Sequence, residues 1–95
     1  MKFDTKVLHA AIEPEPLTGS ILPPLHQTAT YVLEEVGKDK GFDYTRSANP
    51  TRQMMEEHLA KLDSGEYGIA FSSGMSAVDS CLKLLRSGDH IICSD

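Results

Sequence analysis

Two short segments of this chain are suited to holding an anion. Ser72-Ser73-Gly74-Met75-Ser76-Ala77 sets hydroxyl residues and a glycine between an apolar run and a helical pattern. A helix beginning there points unpaired N–H groups and the positive end of its dipole outward, a setting that suits phosphate. Gly74 allows close backbone approach and an unusual turn, and the serine hydroxyls add donors. A plain helix cap with no ligand reads as well from this motif alone. No Gly-Lys-Ser/Thr follows and GxGxxG is absent, which excludes a Walker loop and a dinucleotide fingerprint. The second segment is Tyr44-Thr45-Arg46. A guanidinium fork binds phosphate through two parallel hydrogen bonds, and a phenol adds a third. Taken alone, the pair also reads as a surface arginine beside a packing tyrosine.

The elements that must position these groups follow from pattern. Asn49 is a good N-cap, and Pro50 then falls at the first helical position, where its missing N–H costs nothing. The apolar residues Met55, Leu59 and Leu62 recur at helical spacing and predict one buried face, with Gly65 as the stop. Tyr67 to Ser72 reads as a short buried strand. Val78, Cys81, Leu82 and Leu85 predict a second helix from about Met75 to Leu85, and His90 to Cys93 reads as another buried strand. Helix, strand, helix, strand is the rhythm of an α/β protein. Upstream, Pro14, Pro16, Gly19, Pro23 and Pro24 break up any long element. Lys6 to Ala11 is expected to form a short helical turn, and the β-branched Gln27 to Leu33 an extended stretch. This Pro-punctuated arm is expected to pack on another subunit or domain.

Composition bounds the reading. The 95 residues suffice for one small domain, with 40% hydrophobic and 24% charged residues as in ordinary globular protein. Nine basic and 14 acidic residues leave a net charge of −5, which argues against a nucleic-acid surface. No apolar run approaches a membrane span or a secretory leader, so a cytoplasmic protein is the expectation. Cys81 and Cys93 form no CxxC, and His9, His26, His58 and His90 form no ligand pattern, so no metal site is expected. The two thiols read as buried, His58 as a surface residue, and Glu34-Glu35 and Glu56-Glu57 as solvated faces. Two buried-type strands cannot complete a parallel sheet, so the chain reads as a cut one. With Phe71, Ile91 and Ile92 lacking partners, the isolated chain is expected to aggregate or stay partly unfolded.

Together the two anion segments resemble a known family. Asp43-Tyr44-Thr45-Arg46-Ser47-Ala48-Asn49-Pro50-Thr51, then a helix, then Ser72-Ser73-Gly74-Met75-Ser76-Ala77, is similar to the pyridoxal-5'-phosphate (PLP) enzymes of cysteine and methionine metabolism. Pro23-Pro24-Leu25-His26-Gln27-Thr28-Ala29-Thr30-Tyr31 resembles that family's P-x-x-Q-T-x-T-Y segment, and Gly88-Asp89-His90-Ile91-Ile92 its GD-plus-strand segment. The resemblance implies an N-terminal arm followed by the beginning of an aspartate-aminotransferase-like (type I) large domain, incomplete here. Residues 1–50 would be arm and cofactor-contacting loop, and residues 51–95 the start of the PLP-binding domain.

The resemblance also implies roles. Tyr44 and Arg46 would reach the PLP phosphate of a neighbouring subunit, and Gly74 and Met75 would offer backbone N–H groups to the phosphate of their own. Asp43 would lie near the substrate. The expected activity is β- or γ-elimination or replacement on a small sulfur amino acid, of cystathionine γ-lyase or γ-synthase type. Cystathionine β-lyase, methionine γ-lyase and O-acetylhomoserine sulfhydrylase share most of the motif wording. A homo-oligomer is expected, with no nucleic-acid or membrane partner. No catalytic residue is expected within this chain: the Schiff-base lysine would lie beyond Asp95, since none of Lys2, Lys6, Lys38, Lys40, Lys61 and Lys83 has a matching context. Two other readings stand beside this one. One is a short product without catalysis that retains weak phosphate binding. The other is a simple nucleotide binder using Ser73-Gly74.

Overall fold

Capping chemistry sets the helix boundaries in the computed structural model, which describes every residue from Met1 to Asp95. Helix α1 covers Phe3–His9, α2 Pro50–Leu62 and α3 Gly74–Leu82. At α2 the Asn49 side chain accepts from the Thr51 and Arg52 amides, and Pro50 opens the helix as the sequence pattern requires. At α3 the Ser73 hydroxyl accepts from the Ser76 amide while the Ser76 hydroxyl reaches back to the Ser73 amide, a reciprocal capping box. Helix α1 starts earlier than the sequence suggests and has no side-chain cap, with Asp4 in its first turn and Lys6 and His9 in its last.

The end of α2 differs from expectation. Gly65 does not take the left-handed position; Ser64 does, with φ at 58°. The Gly65 amide donates to the Ala60 carbonyl at 2.7 Å and the Ser64 amide to the Lys61 carbonyl at 3.3 Å, which makes a Schellman finish. Gly68 is the glycine that geometry demands, because a Cβ there would lie 2.3 Å from the Glu56 carbonyl oxygen.

Helix α1 docks on α2, the one pair of helices in contact. Ala10 is buried beside this seam, and Ala60 is buried on α2 against the Gly65 to Gly68 turn, where a small side chain allows close approach. The Lys6 ammonium donates to the Leu62 carbonyl at 3.4 Å. His58 Nδ1 meets the Ala10 carbonyl, and because a carbonyl only accepts, Nδ1 carries the hydrogen. His58 is therefore a half-buried tether between the two helices, not the surface residue that its acidic neighbours suggested. The extended stretch expected after Gln27 does form. It runs antiparallel to the loop before α2, with a bridge between Thr30 and Tyr44 and amide bonds from Tyr31 to Asp43 at 3.0 Å and from Thr45 to Ala29 at 2.9 Å.

Neither expected strand forms. Tyr67 to Ser72 and His90 to Cys93 run without ladder partners, and the amides of Ile69, Phe71, Ile91 and Ile92 donate to nothing in the chain. A strand exists only through hydrogen bonds to a neighbour, and these segments have none within 95 residues. The same lack of partners overturns the expected burial. Met55 and Leu59 on α2 are 45% and 53% exposed, and both cysteines are exposed. Only Ala10, Asn49 and Ala60 are buried. The chain is a slab of 50 × 43 × 19 Å with a radius of gyration of 17.3 Å, against about 12 Å for a compact domain of this length. Its accessible surface is 8336 Å², where a self-contained domain of this mass exposes about 5,400 Å². No helix is long and apolar enough to cross a membrane.

Candidate anion-binding site

The loop that carries Tyr44 and Arg46 is built from α2 and from the extended stretch beside it. Asn49 is the hub. Its Oδ1 caps α2, while its Nδ2 donates to the His26 carbonyl at 3.0 Å and the Thr45 hydroxyl at 3.2 Å, with the Tyr31 phenol at 3.5 Å. It is 6% exposed, so almost every polar atom of its amide is satisfied by protein. The His26 amide donates to the Thr51 hydroxyl at 2.9 Å, and the Thr45 hydroxyl to the Thr28 carbonyl. The loop is thus pinned on both sides by bonds that involve no side chain of the anion pair itself.

Within that frame Arg46 Nη2 donates to the Tyr44 phenol oxygen at 2.9 Å, and the guanidinium carbon lies 5.3 Å from the Tyr44 ring centroid. The two residues named from sequence are brought together as one donor pair. Arg46 makes no ion pair with any carboxylate of the chain. Its charge is free to meet an external anion, and the phenol hydrogen remains available as a further donor. Asp43 sits beside the pair, and its carboxylate accepts its neighbour's Tyr44 amide at 2.8 Å.

The second donor pair stands at the start of α3. Ser73 and Ser76 satisfy each other, and the amides of Gly74 and Met75 donate to nothing in the chain. Gly74 is ordinary helical backbone, so the unusual turn expected of it is absent: its φ is not among the positive ones. A Cβ at Gly74 would enter open space, which leaves the helix end accessible to a ligand atom. Two bare amides at a capped helix end, and an arginine–phenol pair bound to no carboxylate, are donors of the kind that anionic oxygens accept from. No hydrogen bond or ion pair joins the two donor pairs within one chain.

Sequence comparison decides the family. Residues 4–95 match the model of the family described as Cys/Met metabolism PLP-dependent enzyme. The chain belongs to this family. Among relatives of this PLP-dependent family, a cystathionine beta-lyase of Coxiella burnetii is 45% identical over 93 residues, which is 98% of this chain and 24% of that protein. A probable cystathionine gamma-synthase of Herpetosiphon aurantiacus is 39% identical over 93 residues, 98% of this chain and 29% of the other. A cystathionine gamma-lyase of Bacillus subtilis is 41% identical over 95 residues, 100% of this chain and 25% of the other. The chain therefore spans about a quarter of the length of such relatives. The fold of metB from Corynebacterium glutamicum superposes with a TM-score of 0.81 at 39% identity, over 95% of this chain and 24% of that one. Cystathionine gamma-lyase of Lactobacillus plantarum, complexed with L-serine, gives 0.78 at 34%, over 95% and 23%.

Arg52 and Glu56 hold these segments and were not apparent from sequence. Arg52 donates to backbone carbonyls on either side of Arg46, and Glu56 accepts the Ala70 amide at 2.8 Å instead of merely facing solvent. The only signal for either was an i,i+4 charge pair on a helix, which is common on solvated faces.

Proposed function

We propose that this chain is the N-terminal part of a PLP-dependent enzyme that carries out β- or γ-elimination or replacement on a sulfur amino acid. In this reading residues 1–50 are arm and cofactor-contacting loop, and residues 51–95 open an aspartate-aminotransferase-like large domain. The protein is a cytoplasmic homo-oligomer of cystathionine γ-lyase or γ-synthase type. The observation that carries the reading is the pair of open donor sets, Tyr44–Arg46 and the Gly74 and Met75 amides, in a chain of this family. PLP, when bound, supplies an electron sink for carbon–hydrogen and carbon–sulfur bond chemistry on an amino acid.

This chain's residues bind and orient. Gly74 and Met75 offer two fixed amides and a helix dipole to one face of the phosphate. Arg46 offers a planar charged fork, and the Tyr44 phenol holds that fork by accepting from it while giving its own hydrogen to the anion. In this reading the site is shared between copies, with Tyr44 and Arg46 serving the neighbour's cofactor, as the family resemblance implies. A phosphate anchored at several points fixes where the reactive end of the cofactor lies.

The test is PLP retention by the full-length protein after Tyr44→Phe combined with Arg46→Ala. Loss of a charge-assisted pair is expected to weaken PLP binding by about 100-fold. Wild-type retention would remove both residues from the site. Product analysis with cystathionine then assigns the bond cleaved. Pyruvate with homocysteine marks β-elimination, and 2-oxobutyrate with cysteine marks γ-elimination. The relatives bear names of both kinds at comparable identity, so this assay and not similarity sets the reaction.

A further inference from the structure

We propose that Arg52 is a positioning residue for the Tyr44–Arg46 donor pair, and that Glu56 couples it to the segment that leads into the Gly74 and Met75 amides. The inference rests on the phosphate-site reading above and adds the device that sets its geometry.

Arg52 lies in the first turn of α2, directly below the loop. Its Nη1 donates to the Thr45 carbonyl at 2.9 Å, and its Nη2 to the Ser47 carbonyl at 2.9 Å and the Arg46 carbonyl at 3.3 Å. These are the carbonyl of Arg46 and those of the residues on either side of it. Holding them against one planar group removes backbone freedom at the point from which the Arg46 side chain departs. The Tyr44 phenol fixes the far end of that side chain, so Arg46 is held at its root by Arg52 and at its tip by Tyr44. The terminal nitrogens of Arg52 are committed to protein carbonyls, which suits a clamp and not a phosphate ligand.

The third nitrogen carries the coupling. Arg52 Nε lies 3.8 Å from Glu56 Oε1, one turn along α2. The same Oε1 accepts the Ala70 amide at 2.8 Å. Ala70 belongs to the segment that runs directly into Ser72, Ser73 and the start of α3. One carboxylate oxygen therefore serves the clamp under the Tyr44–Arg46 loop and an anchor of the approach to the Gly74 amide. A lysine cannot replace Arg52, because an ammonium lacks the planar fork that spans successive carbonyls.

The experiment uses the full-length protein and reads the PLP dissociation constant by equilibrium dialysis, with the melting temperature of the PLP-free form alongside. The variants are Arg46→Ala, Arg52→Gln, Arg52→Lys, Glu56→Gln and the double variant Arg46→Ala with Arg52→Gln. Arg52→Gln is expected to weaken PLP binding about tenfold, and Glu56→Gln by less. Arg52→Lys should not restore wild-type affinity. The double variant should bind more weakly than Arg46→Ala by itself by clearly less than about tenfold, because the part of the Arg52 effect that acts through Arg46 is already lost. A purely structural role predicts instead that the two losses multiply, and that outcome overturns the proposal. Wild-type affinity in Arg52→Gln also overturns it. Should Arg52→Gln fail to fold, Arg52→Lys carries the test, alone and combined with Arg46→Ala, with the same expectation and the same overturning results. If Arg46→Ala itself leaves affinity unchanged, the phosphate-site reading fails and the coupling fails with it. A normal loss in Arg46→Ala with no loss in the Arg52 variants isolates the failure to the coupling.

Discussion

The stretch from His26 to Arg52 and the stretch from Tyr67 to Asp95 contain segments of similar extended backbone, yet they are stabilised in opposite ways. In the first, polar side chains supply what the backbone lacks: Asn49 Nδ2, the Thr51 hydroxyl and the Arg52 fork each bind carbonyls or amides of the loop. The loop holds its shape almost without a core. In the second, the extended segments carry mainly apolar side chains, and the amides of Ile69, Phe71, Ile91 and Ile92 have no acceptor. Phe71 is 42% exposed and Ile92 94% exposed. A polar loop can be satisfied by a few residues nearby in the sequence. A buried strand needs neighbours along both edges and cover on both faces. Buried backbone groups in folded proteins are almost always paired, and the exposure of these segments is what leaves their amides open to water.

The largest effect that sharpens this contrast is expected at Ile92. It touches little within the chain, yet Ile92→Lys in the full-length protein should cost more than about 3 kcal/mol, because a covered strand would then bury an unpaired charge. Urea denaturation measures it, and a cost near zero would break the comparison by showing that the segment stays in water. Next is Asn49→Ala, expected to destabilise by about 2 kcal/mol through the lost cap and the unpaired His26 carbonyl. Asn49→Asp keeps the cap oxygen and should recover part of the loss in the same assay.

A smaller effect of opposite sign is expected at the end of α2. Ser64 holds φ at 58°, a region that glycine occupies without penalty. Ser64→Gly should therefore stabilise by about 0.5–1 kcal/mol in thermal melts. The smallest concerns Glu15 in the Pro-rich arm. Its carboxyl titrates below its ordinary value of 4.5, first because the Leu17 amide donates to the carboxylate and then because the Thr18 hydroxyl does. A carboxyl whose pKa falls on folding adds stability above its unfolded pKa, and that contribution disappears as pH falls through the lowered value. Thr18→Val should move the Glu15 titration, followed by NMR, back toward the ordinary value and narrow that window.

The motif residues were legible because their physics is local. Asn49 before Pro50 announces the start of α2 by a capping rule that needs no tertiary context, and the Ser-Gly turn before Met75 places the start of α3 to within a residue. Tyr44 and Arg46 are two residues apart, so their pairing needs only a loop. Burial was misjudged for Met55, Leu59 and the two cysteines because periodicity marks the face that wants cover, not whether the chain provides it. Gly65 was the natural stop by composition, yet the left-handed residue is its neighbour Ser64, one position earlier.

By itself the amino-acid sequence determined the start of α2, the approximate start of α3 and the family wording around Tyr44, Arg46, Gly74 and Met75. These are properties of residues within a few positions of one another. The tertiary structure alone decided that Arg52 clamps the carbonyls around Arg46, that Glu56 reaches the Ala70 amide and that His58 tethers Ala10. Those bonds depend on how α2 lies against segments before and after it. A surface charge and a clamp have the same spelling, and only the position of the opposing backbone distinguishes them.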